Sequence, residues 1–442
     1  MATIRNIGLA QPVAQEDTIT MAGAFASGDT VSITISQQTL VVTCGATCDT
    51  TTEIASAVQE CIGLAGHDPA SISADATCNF GGQETGHEEF RDVVATVSGS
   101  VVTVKSVTPG QPFVMSVTET TAGSGTATET TAIAATGPEF FNNGANWEGG
   151  SVPAIASTIQ LDGASSSIKY ALNNVIKDYD LITMPDYSGD IGLPKINPRG
   201  YTEYRQRFFD MPNNSTPTAQ TADIRGTGSL RIDYGTVIPT SITFRLHSSG
   251  PVTADGASVQ IVGGQLIDLI THEGSISISE HPAETMSEIK TIKMLGAATV
   301  LVGVSATFVN VAASIEQESG TLDLYCVISG SLTQSIVRGG LHRVHTSARL
   351  TSLYVYKNGY VDYRGNSLAN YSLYGGTLDC SLCPTSAWAG DLFMYKGATL
   401  IDPLHRMTAD INLNGCAIQD VTLVLKDNLQ FAVSAGTASL TI

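Results

Sequence analysis

Three aspartates in the last third of the chain recur at equivalent positions behind glycines. Asp323, Asp362 and Asp379 each lie three residues after a glycine, and Asp268 and Asp402 lie one and two positions further along in similar segments. If these segments are strands stacked about 4.8 Å apart, the carboxylates form a ladder. Two carboxylates roughly 5 to 9 Å apart can act as acid and base, or as acid and nucleophile, on a glycosidic bond. Outward aspartates at turns are common, however, and stacked carboxylates repel one another unless they are protonated or bind a cation. We therefore predict a protein that is not an enzyme, with glycan cleavage by this ladder as the alternative.

Other residues with metal-binding or nucleophilic side chains lack the spacing of a known site. His342 and His345 are three residues apart, which places them on opposite faces of a strand. Cys380 and Cys383 have half the spacing of a zinc site, but no second pair has a suitable spacing. Phosphate-binding loops, nucleophile elbows and zinc-protease motifs are absent from the sequence. The sequence thus predicts no catalytic residue, no metal and no cofactor.

The eight cysteines are predicted to be reduced and mostly buried, as in a protein made in a cytoplasm. The alternative is that disulfides form after the protein is released from a cell. The group best placed for them is Cys44, Cys48, Cys61 and Cys78, because these four fall in one small domain.

A repeat surrounds the aspartates and must position them. A short apolar segment recurs behind glycines that are spaced by 20, 19, 17 and 21 residues, namely Gly320, Gly340, Gly359, Gly376 and Gly397. This spacing is close to one turn of a parallel β-solenoid, whose turns must stack because one turn cannot bury its own apolar side chains. Glycine suits the corner before each strand. A β-sandwich with regular turns is the alternative.

Composition limits the class of protein. The chain has 442 residues, a formal net charge of −19 and almost no long amphipathic helical pattern. This is typical of an all-β protein with two or three domains. The acidity argues against nucleic-acid binding and fits a soluble protein or one that docks on a basic partner. We find no secretory signal and no apolar run of about 18 residues, so we expect a protein made in a cytoplasm without membrane contact.

Pattern and composition divide the chain into six segments. They are an N-terminal arm (1–20), a small α+β domain (21–120), a linker (121–137), an aromatic cap with the first solenoid turns (138–257), the solenoid repeats (258–403) and a C-terminal strand-rich cap (404–442). In the small domain, apolar residues between Ile54 and Ile62 predict one amphipathic helix capped by Thr51 or Thr52. The linker segment can also be a strand edge. The predicted fold is therefore mainly β, a small α+β N-terminal domain followed by a parallel β-solenoid (β-helix) body.

Aromatic residues concentrate between positions 138 and 212. The segment PEFFNNGANWEGGSVP contains Phe140, Phe141 and Trp147. One interpretation is a hydrophobic plug over the first solenoid turn, because an open solenoid end exposes strand edges and apolar side chains. The other is a docking surface for a partner, to which Tyr201, Tyr204 and Arg205 would also contribute.

Several segments between about residues 10 and 210 resemble a family of tailed-phage and prophage virion structural proteins. They include PVAQEDTITMAG, DTTTEIASAV, TGPEFFNNGANWEGGSVP, SGDIGLP and GYTEYR. Proteins of that family pair a small N-terminal domain with a β-solenoid. The resemblance implies a virion component, either a capsid decoration (cement) protein or a tail-associated fibre or spike. It implies no catalytic residues.

The predicted function is that of a non-enzymatic capsid decoration protein that stabilises the phage head. Its expected partners are the major capsid protein or other virion proteins and further copies of itself, with a trimer favoured. We expect neither nucleic acid nor a membrane as a partner. The expected location is the virion, assembled in the host cytoplasm. The alternative is a tail fibre or tail spike that binds, or cleaves, a host surface glycan.

Overall fold

The computed structural model of this chain is mainly β, with 50% of residues in strands and 8% in helices. It describes residues 2–66, 72, 75–80, 87–173, 179–211, 220–235, 242–250, 252, 256–263, 265–278, 288–303, 310–325, 334–345, 349–365, 367–383, 391–404, 410–425 and 439–441. The predicted fold class is confirmed, because the body is a parallel β-solenoid and the N-terminal part contains small β-sheets. No helix in the described part of the chain has the length and apolar content needed to span a bilayer.

The first third of the chain forms a small domain of two antiparallel sheets and one helix. Its elements, with one strand before them, are β1 (Thr3–Arg5), β2 (Glu16–Ala22), β3 (Thr30–Ile35), β4 (Gln38–Cys44), α1 (Thr51–Gly66), β5 (Ala76–Asn79), β6 (Val93–Ser98), β7 (Val101–Ser106), β8 (Met115–Thr120) and β9 (Thr126–Ile133). The sheets have the strand orders β6-β7-β2-β9 and β5-β4-β3-β8. The helix α1 packs against strands of both sheets and closes one hydrophobic core.

The predicted helix is confirmed, but it begins one residue earlier than expected. The Oγ1 of Thr50 accepts a hydrogen bond from the backbone N–H of Glu53 at 3.2 Å, and the Glu53 carboxylate accepts the backbone N–H of Thr50 at 3.1 Å. This reciprocal pair is a capping box, which Thr51 and Thr52 do not provide. The stripe from Ile54 to Ile62 lies in the core as predicted.

The solenoid follows as a series of short strands. They are β10 (Thr158–Leu161), β11 (Asp180–Thr183), β12 (Phe209–Asp210), β13 (Gln220–Ile224), β14 (Leu230–Asp233), β15 (Ile242–Leu246), β16 (Val259–Val262), β17 (Gln265–Thr271), β18 (Ser275–Ile278), β19 (Glu288–Met294), β20 (Thr299–Val302), β21 (Asn310–Gln317), β22 (Thr321–Leu324), β23 (Gln334–Val344), β24 (Arg349–Tyr363), β25 (Ser367–Tyr374), β26 (Thr377–Asp379), β27 (Asp391–Met394), β28 (Thr399–Asp402), β29 (Asp410–Leu413), β30 (Thr422–Leu425) and β31 (Ser439–Thr441). Short 3₁₀ helices occupy Glu88–Asp92, Gly144–Asn146 and Ile418–Asp420.

Each turn contributes one strand to each of two parallel stacks. The first stack runs through β1, β10, β11, β13, β15, β17, β19 and β21 to β29, and the second through β12, β14, β16, β18, β20 and β22 to β30. The long strands β23 and β24 bend at a corner and belong to both stacks. Alternate residues point inward, so equivalent residues of successive turns form columns. One fully buried column of the second stack consists of Val259, Ile276, Val300, Leu322, His342, Val361, Leu378 and Leu400.

Glycines close the corners between the two stacks, as the repeat predicts. Gly320 and Gly340 have φ angles of +82° and +80°, a region that side chains disfavour. A Cβ atom at Gly340 would also lie 2.2 Å from the carbonyl oxygen of Gly320 in the preceding turn. The corner therefore requires glycine both for its backbone conformation and for the close approach of neighbouring turns.

The predicted N-terminal arm is wrong. Its residues Thr3–Arg5 form β1, which pairs in parallel with β10 and starts the first stack. The chain then leaves the solenoid, forms the small domain and returns, and Val13 pairs with Thr136 where the two connecting segments run together. The small domain is thus inserted between the first strand of the solenoid and the remainder. Three residues that pair with a distant partner leave little local pattern in a sequence.

The predicted linker at 121–137 is also wrong, and its alternative, a strand edge, is correct. These residues include β9, which pairs with β2 at the edge of a sheet. The threonines that gave the segment its low complexity are β-branched and suit a half-exposed strand. At the other end of the chain, β31 pairs antiparallel with β29 of the same chain, as a C-terminal cap would.

Candidate functional site

Most aromatic residues of the predicted docking surface lie inside the protein: Phe140 and Tyr201 are 9% and 6% exposed, and Tyr204 is half-buried. Trp147 and Phe141 are 0% and 1% exposed, and their rings meet edge to face with centroids 5.2 Å apart. Phe141 also contacts the rings of Tyr179 and Phe209, at 5.7 and 4.8 Å. The indole N–H of Trp147 donates to the carbonyl oxygen of Phe141 at 2.8 Å. These four residues, here the cap cluster, form the plug that was the first of the two sequence interpretations.

The cap cluster closes the N-terminal end of the solenoid. The backbone N–H of Glu148 donates to the carbonyl of Arg5 at 2.9 Å, and Asn6 forms a bridge with Trp147. These bonds engage β1, the end strand of its stack. A free strand edge at this end would be open to pairing with other chains. The docking interpretation of Phe141 and Trp147 is therefore wrong for the isolated chain, because a partner cannot reach them.

Tyr201, Tyr204 and Arg205 lie at the junction between the small domain and the solenoid. The Tyr201 hydroxyl donates to the carboxylate of Asp92 in the small domain. A guanidinium N–H of Arg205 donates to the carbonyl of Pro112, also in the small domain, at 3.0 Å. The side chains of Tyr201 and Arg205 therefore attach the solenoid to the small domain.

A buried ion pair stands at the centre of this junction. Arg205 and Glu203 form two parallel hydrogen bonds of 2.7 Å, and their side chains are 8% and 1% exposed. Burial acts to raise the pKa of Glu203, but the hydrogen bonds and the charge of Arg205 outweigh it and hold that pKa below its ordinary value. The Arg205 guanidinium also lies over the rings of Tyr170 and Tyr204, at 5.6 and 5.2 Å.

Two clefts flank Arg205, with volumes of about 690 Å³ and 580 Å³. Phe113, Phe140, Tyr170 and Tyr204 line the larger one, together with Asn143. Its two cationic side chains already have carboxylate partners, since Lys169 binds Glu139 at 2.7 Å and Arg205 binds Glu203. The larger cleft therefore presents aromatic and amide groups around neutralised charges, which suits packing between domains better than acid–base chemistry.

The aspartate ladder exists in part. Asp323, Asp362 and Asp379 occupy one outward column of the second stack, with Arg343 between the first two. Asp402 follows Ile401 of that column by one residue, so its side chain points inward and is fully buried.

Asp268 lies apart from the ladder, in the first stack between Thr243 and Thr291. The sequence reasoning that grouped Asp268 with the other aspartates was wrong, because Asp268 lies on β17 of the first stack, whereas the ladder lies on strands of the second stack.

Each carboxylate of the ladder has a charged or hydrogen-bonding partner. Arg343 lies 3.2 Å from Asp323, and Arg364 lies 2.6 Å from Asp362. Asp379 accepts the hydroxyls of Ser381 and Tyr360, at 2.6 and 2.5 Å.

These hydrogen bonds decide the protonation state of Asp379. Burial acts to raise its pKa, but the bonds from Ser381 and Tyr360 outweigh it and lower the pKa below the ordinary value. At neutral pH this carboxyl is an anion and has no proton to donate to a glycosidic oxygen.

The arginine partners could have been found in the sequence. Arg343 stands three residues after Gly340, the same offset that Asp323 has from Gly320. Aligning the repeats therefore places a cation in the column.

The two histidines lie on opposite faces of the strand, as predicted. His342 is fully buried, and its Nδ1 is 3.0 Å from Oε1 of Gln317. Burial lowers the pKa of His342 to about 4. His345 points outward and stacks on the ring of Tyr325 with centroids 4.1 Å apart. Within the described ranges, no three His, Cys, Asp or Glu side chains converge as metal ligands would.

One cysteine pair is bonded. Cys61 and Cys78 form a disulfide with their Cα atoms 5.9 Å apart, whereas Cys44, Cys48, Cys380 and Cys383 are buried free thiols and Cys416 is partly exposed. Cys326 lies outside the described residues. Both sequence expectations therefore hold in part, because reduced buried thiols coexist with one disulfide from the predicted group.

Comparison of the chain with protein-family models, with curated proteins and with solved structures gave no match. The resemblance to virion proteins therefore rests on the sequence segments quoted above.

Proposed function

We propose that this protein is a non-enzymatic structural component of a virion, and in the first place a capsid decoration protein that acts as a homotrimer. The observation that carries the non-enzymatic part is the state of the aspartate ladder. Asp323 and Asp362 are held by Arg343 and Arg364, and Asp379 is held as an anion by hydroxyl groups. A glycoside hydrolase needs one protonated and one ionised carboxyl at its reactive centre.

The architecture supports a mechanical role. Successive strands pair in parallel in both stacks, so each turn is bonded to the turn before and after it. The cap cluster closes one end, and the buried pair of Glu203 and Arg205 stands where the small domain is attached. A body built in this way resists local opening, because the inner strands are hydrogen-bonded to neighbouring turns on both sides.

The distribution of charge supports docking through the small domain. No Lys or Arg occurs between Arg5 and Arg91, whereas eleven Asp and Glu residues do. Asp17, Asp29 and Glu89 are buried, whereas Asp49 and Asp75 are exposed and Glu16, Glu53, Glu60 and Glu88 are half-buried. The acidic side chains that reach the surface fit a basic partner and repel nucleic acid. Since Phe141 and Trp147 are buried and Tyr201 and Arg205 bind the small domain, the acidic small domain is the surface that we propose meets the major capsid protein or another virion protein.

Co-sedimentation with purified heads and with purified tails tests this proposal. We expect the protein to bind heads at about 50 mM salt and to be released at about 500 mM, because salt screens contacts between exposed charges. Glu119→Lys reverses an exposed charge on the small domain and should weaken binding, whereas Glu273→Lys, an exposed charge on the solenoid, is the matched control. Binding to tails alone, or equal effects of both variants, would contradict the proposal.

A tail spike or fibre that binds host glycan is the second candidate, and exposed tyrosines favour it. Tyr325 and Tyr360 are 38% and 37% exposed beside the aspartate ladder. His345 covers one face of the Tyr325 ring, and the equivalent position in the preceding turn is Gly303, which has no side chain to cover the other. Among the described residues, no ring stacks on that second face, and such a ring beside polar groups suits a sugar. Binding of host polysaccharide that Tyr325→Ala abolishes would move this candidate to first place.

A separate row of tyrosines has most of its ring faces covered. Tyr356, Tyr374 and Tyr395 stack on one another along the solenoid with centroids 4.9 and 4.4 Å apart, and the Arg338 guanidinium lies over the first ring. Their faces cover one another, so their role is to join successive turns.

A further inference from the structure

Two cysteine pairs lie in the small domain, and only one of them is bonded. Cys61 on α1 and Cys78 on β5 have Cα atoms 5.9 Å apart, a separation typical of disulfides. Cys44 and Cys48 remain thiols although they fall in the same domain. The difference between the pairs needs a physical reason.

The unbonded pair is chemically protected. Cys44 and Cys48 are 3% and 1% exposed. Burial, and then the neighbouring Cys48 and Asp29, raise the pKa of Cys44 to about 12. Burial and the nearby Glu53 also raise the pKa of Cys48. Because the thiolate is the species that attacks a disulfide, both thiols react poorly at neutral pH.

The bonded pair is reachable from solvent on one side. Cys78 lies on β5, the edge strand of its sheet, and is partly exposed, whereas Cys61 is fully buried on α1. A small oxidant can therefore meet Cys78 first, with Cys61 directly behind it.

We propose that the Cys61–Cys78 bond is a lock that closes after the protein leaves the reducing interior of the cell. The timing rests on the proposed function, since a virion component is assembled in a cytoplasm, where disulfides are rare, and is then released. The oxidant is a low-molecular-weight disulfide such as oxidised glutathione. The Cys78 thiolate attacks it and releases one glutathione thiol, and the Cys61 thiolate then attacks the Cys78 sulfur and releases the second. Two protein thiols are oxidised and one glutathione disulfide is reduced.

The lock fastens α1 to the edge strand β5. The two cysteines are separated by 17 residues, and constraining the unfolded chain over such a loop stabilises a domain of this size appreciably. We expect the thermal midpoint of the small domain to rise by about 10 °C when the bond closes.

Thiol trapping tests the proposal on the full chain. Cells that make the protein in their cytoplasm are lysed in denaturant that contains N-ethylmaleimide, so that buried thiols are labelled too, and the labelled cysteines are identified by peptide mass spectrometry. We expect Cys61 and Cys78 to be labelled at lysis but bonded after purified protein is treated with oxidised glutathione. Cys44, labelled after denaturation, should be a free thiol in both samples. A bond already present at lysis, or no bond after the treatment, would overturn the proposal.

The thermal midpoint supplies an independent measurement. Wild-type protein is compared before and after oxidation, which needs no variant that has to fold. Cys61→Ser should lose the increase on oxidation, and Cys416→Ser, a thiol in the solenoid, is the control that should keep it. An unchanged midpoint on oxidation would refute the lock. Such a failure leaves the virion proposal standing, because that proposal is tested by where the protein sits on particles.

Discussion

Truncation of Trp147 to alanine probes the end of the solenoid. The side chain is fully buried, meets Phe141 edge to face and donates one hydrogen bond to the Phe141 carbonyl at 2.8 Å. Its backbone also pairs with Asn6 next to β1. The Trp147→Ala variant therefore leaves a large cavity beneath the first turn and removes the support of its end strand.

The expected loss is about 3 to 5 kcal/mol of unfolding free energy for the solenoid, the usual cost of truncating a buried tryptophan. Trp147→Phe is the matched control. It retains most of the ring but removes the indole N–H, so the Phe141 carbonyl loses that donor at a cost of about 1 to 2 kcal/mol. The two losses differ because filling the cavity contributes more than the single hydrogen bond.

Urea unfolding followed by far-ultraviolet circular dichroism measures both losses. Incorporation into particles should also fall more for Trp147→Ala than for Trp147→Phe. A loss below about 1 kcal/mol for Trp147→Ala would refute the plug, as would equal losses in the two variants. Either result would mean that the end of the solenoid is held by other contacts.

Three further predictions follow from the ladder, the buried histidine and the domain junction. Replacing both Asp362 and Asp379 with Asn should leave function intact and lower stability by about 1 kcal/mol each, because the Asp362–Arg364 ion pair is partly exposed and asparagine can still accept a hydroxyl hydrogen bond of Asp379; loss of a glycan-degrading activity in that variant would overturn the non-enzymatic role. Burial lowers the pKa of His342 to about 4 in the folded chain, against about 6.5 when unfolded. As the pH falls below about 6.5 the unfolded chain binds the proton first, so urea midpoints should fall between pH 6.5 and 4 by the equivalent of about 3 kcal/mol. His342→Leu should remove that part of the pH dependence, and an unchanged pH profile in this variant would show that other groups cause it. Tyr201→Phe removes the hydroxyl bound to Asp92, and hydrogen exchange should then rise at the junction while the core of the small domain stays protected; uniform protection would show that this bond does not hold the domains together.

The sequence predicted the parts of the fold that repeat. Glycines such as Gly320 and Gly340 mark corners, because the backbone there excludes side chains, and their spacing equals one turn. The same alignment brought Asp323 and Asp362 into one column. It could not show that Asp402 lies inside the core, since a shift of one residue reverses the face of a strand.

Features that depend on partners far apart in the chain were missed. The strand Thr3–Arg5 is recognisable only through its pairing with β10, more than a hundred residues away. The burial of Tyr201 and Arg205 likewise depends on the small domain folding back onto the solenoid end. A residue type such as tyrosine fits an exposed docking surface and an interdomain contact equally well, so composition did not separate them.

The central claim is that this chain is a structural part of a virion head. Electron cryomicroscopy of particles from the source of this sequence tests it most directly, because the solenoid and the small domain have shapes that can be recognised in the density. We predict trimeric density repeated over the head lattice, with the acidic small domain against the capsid. Density confined to the tail, or absent from the particle, would contradict the account.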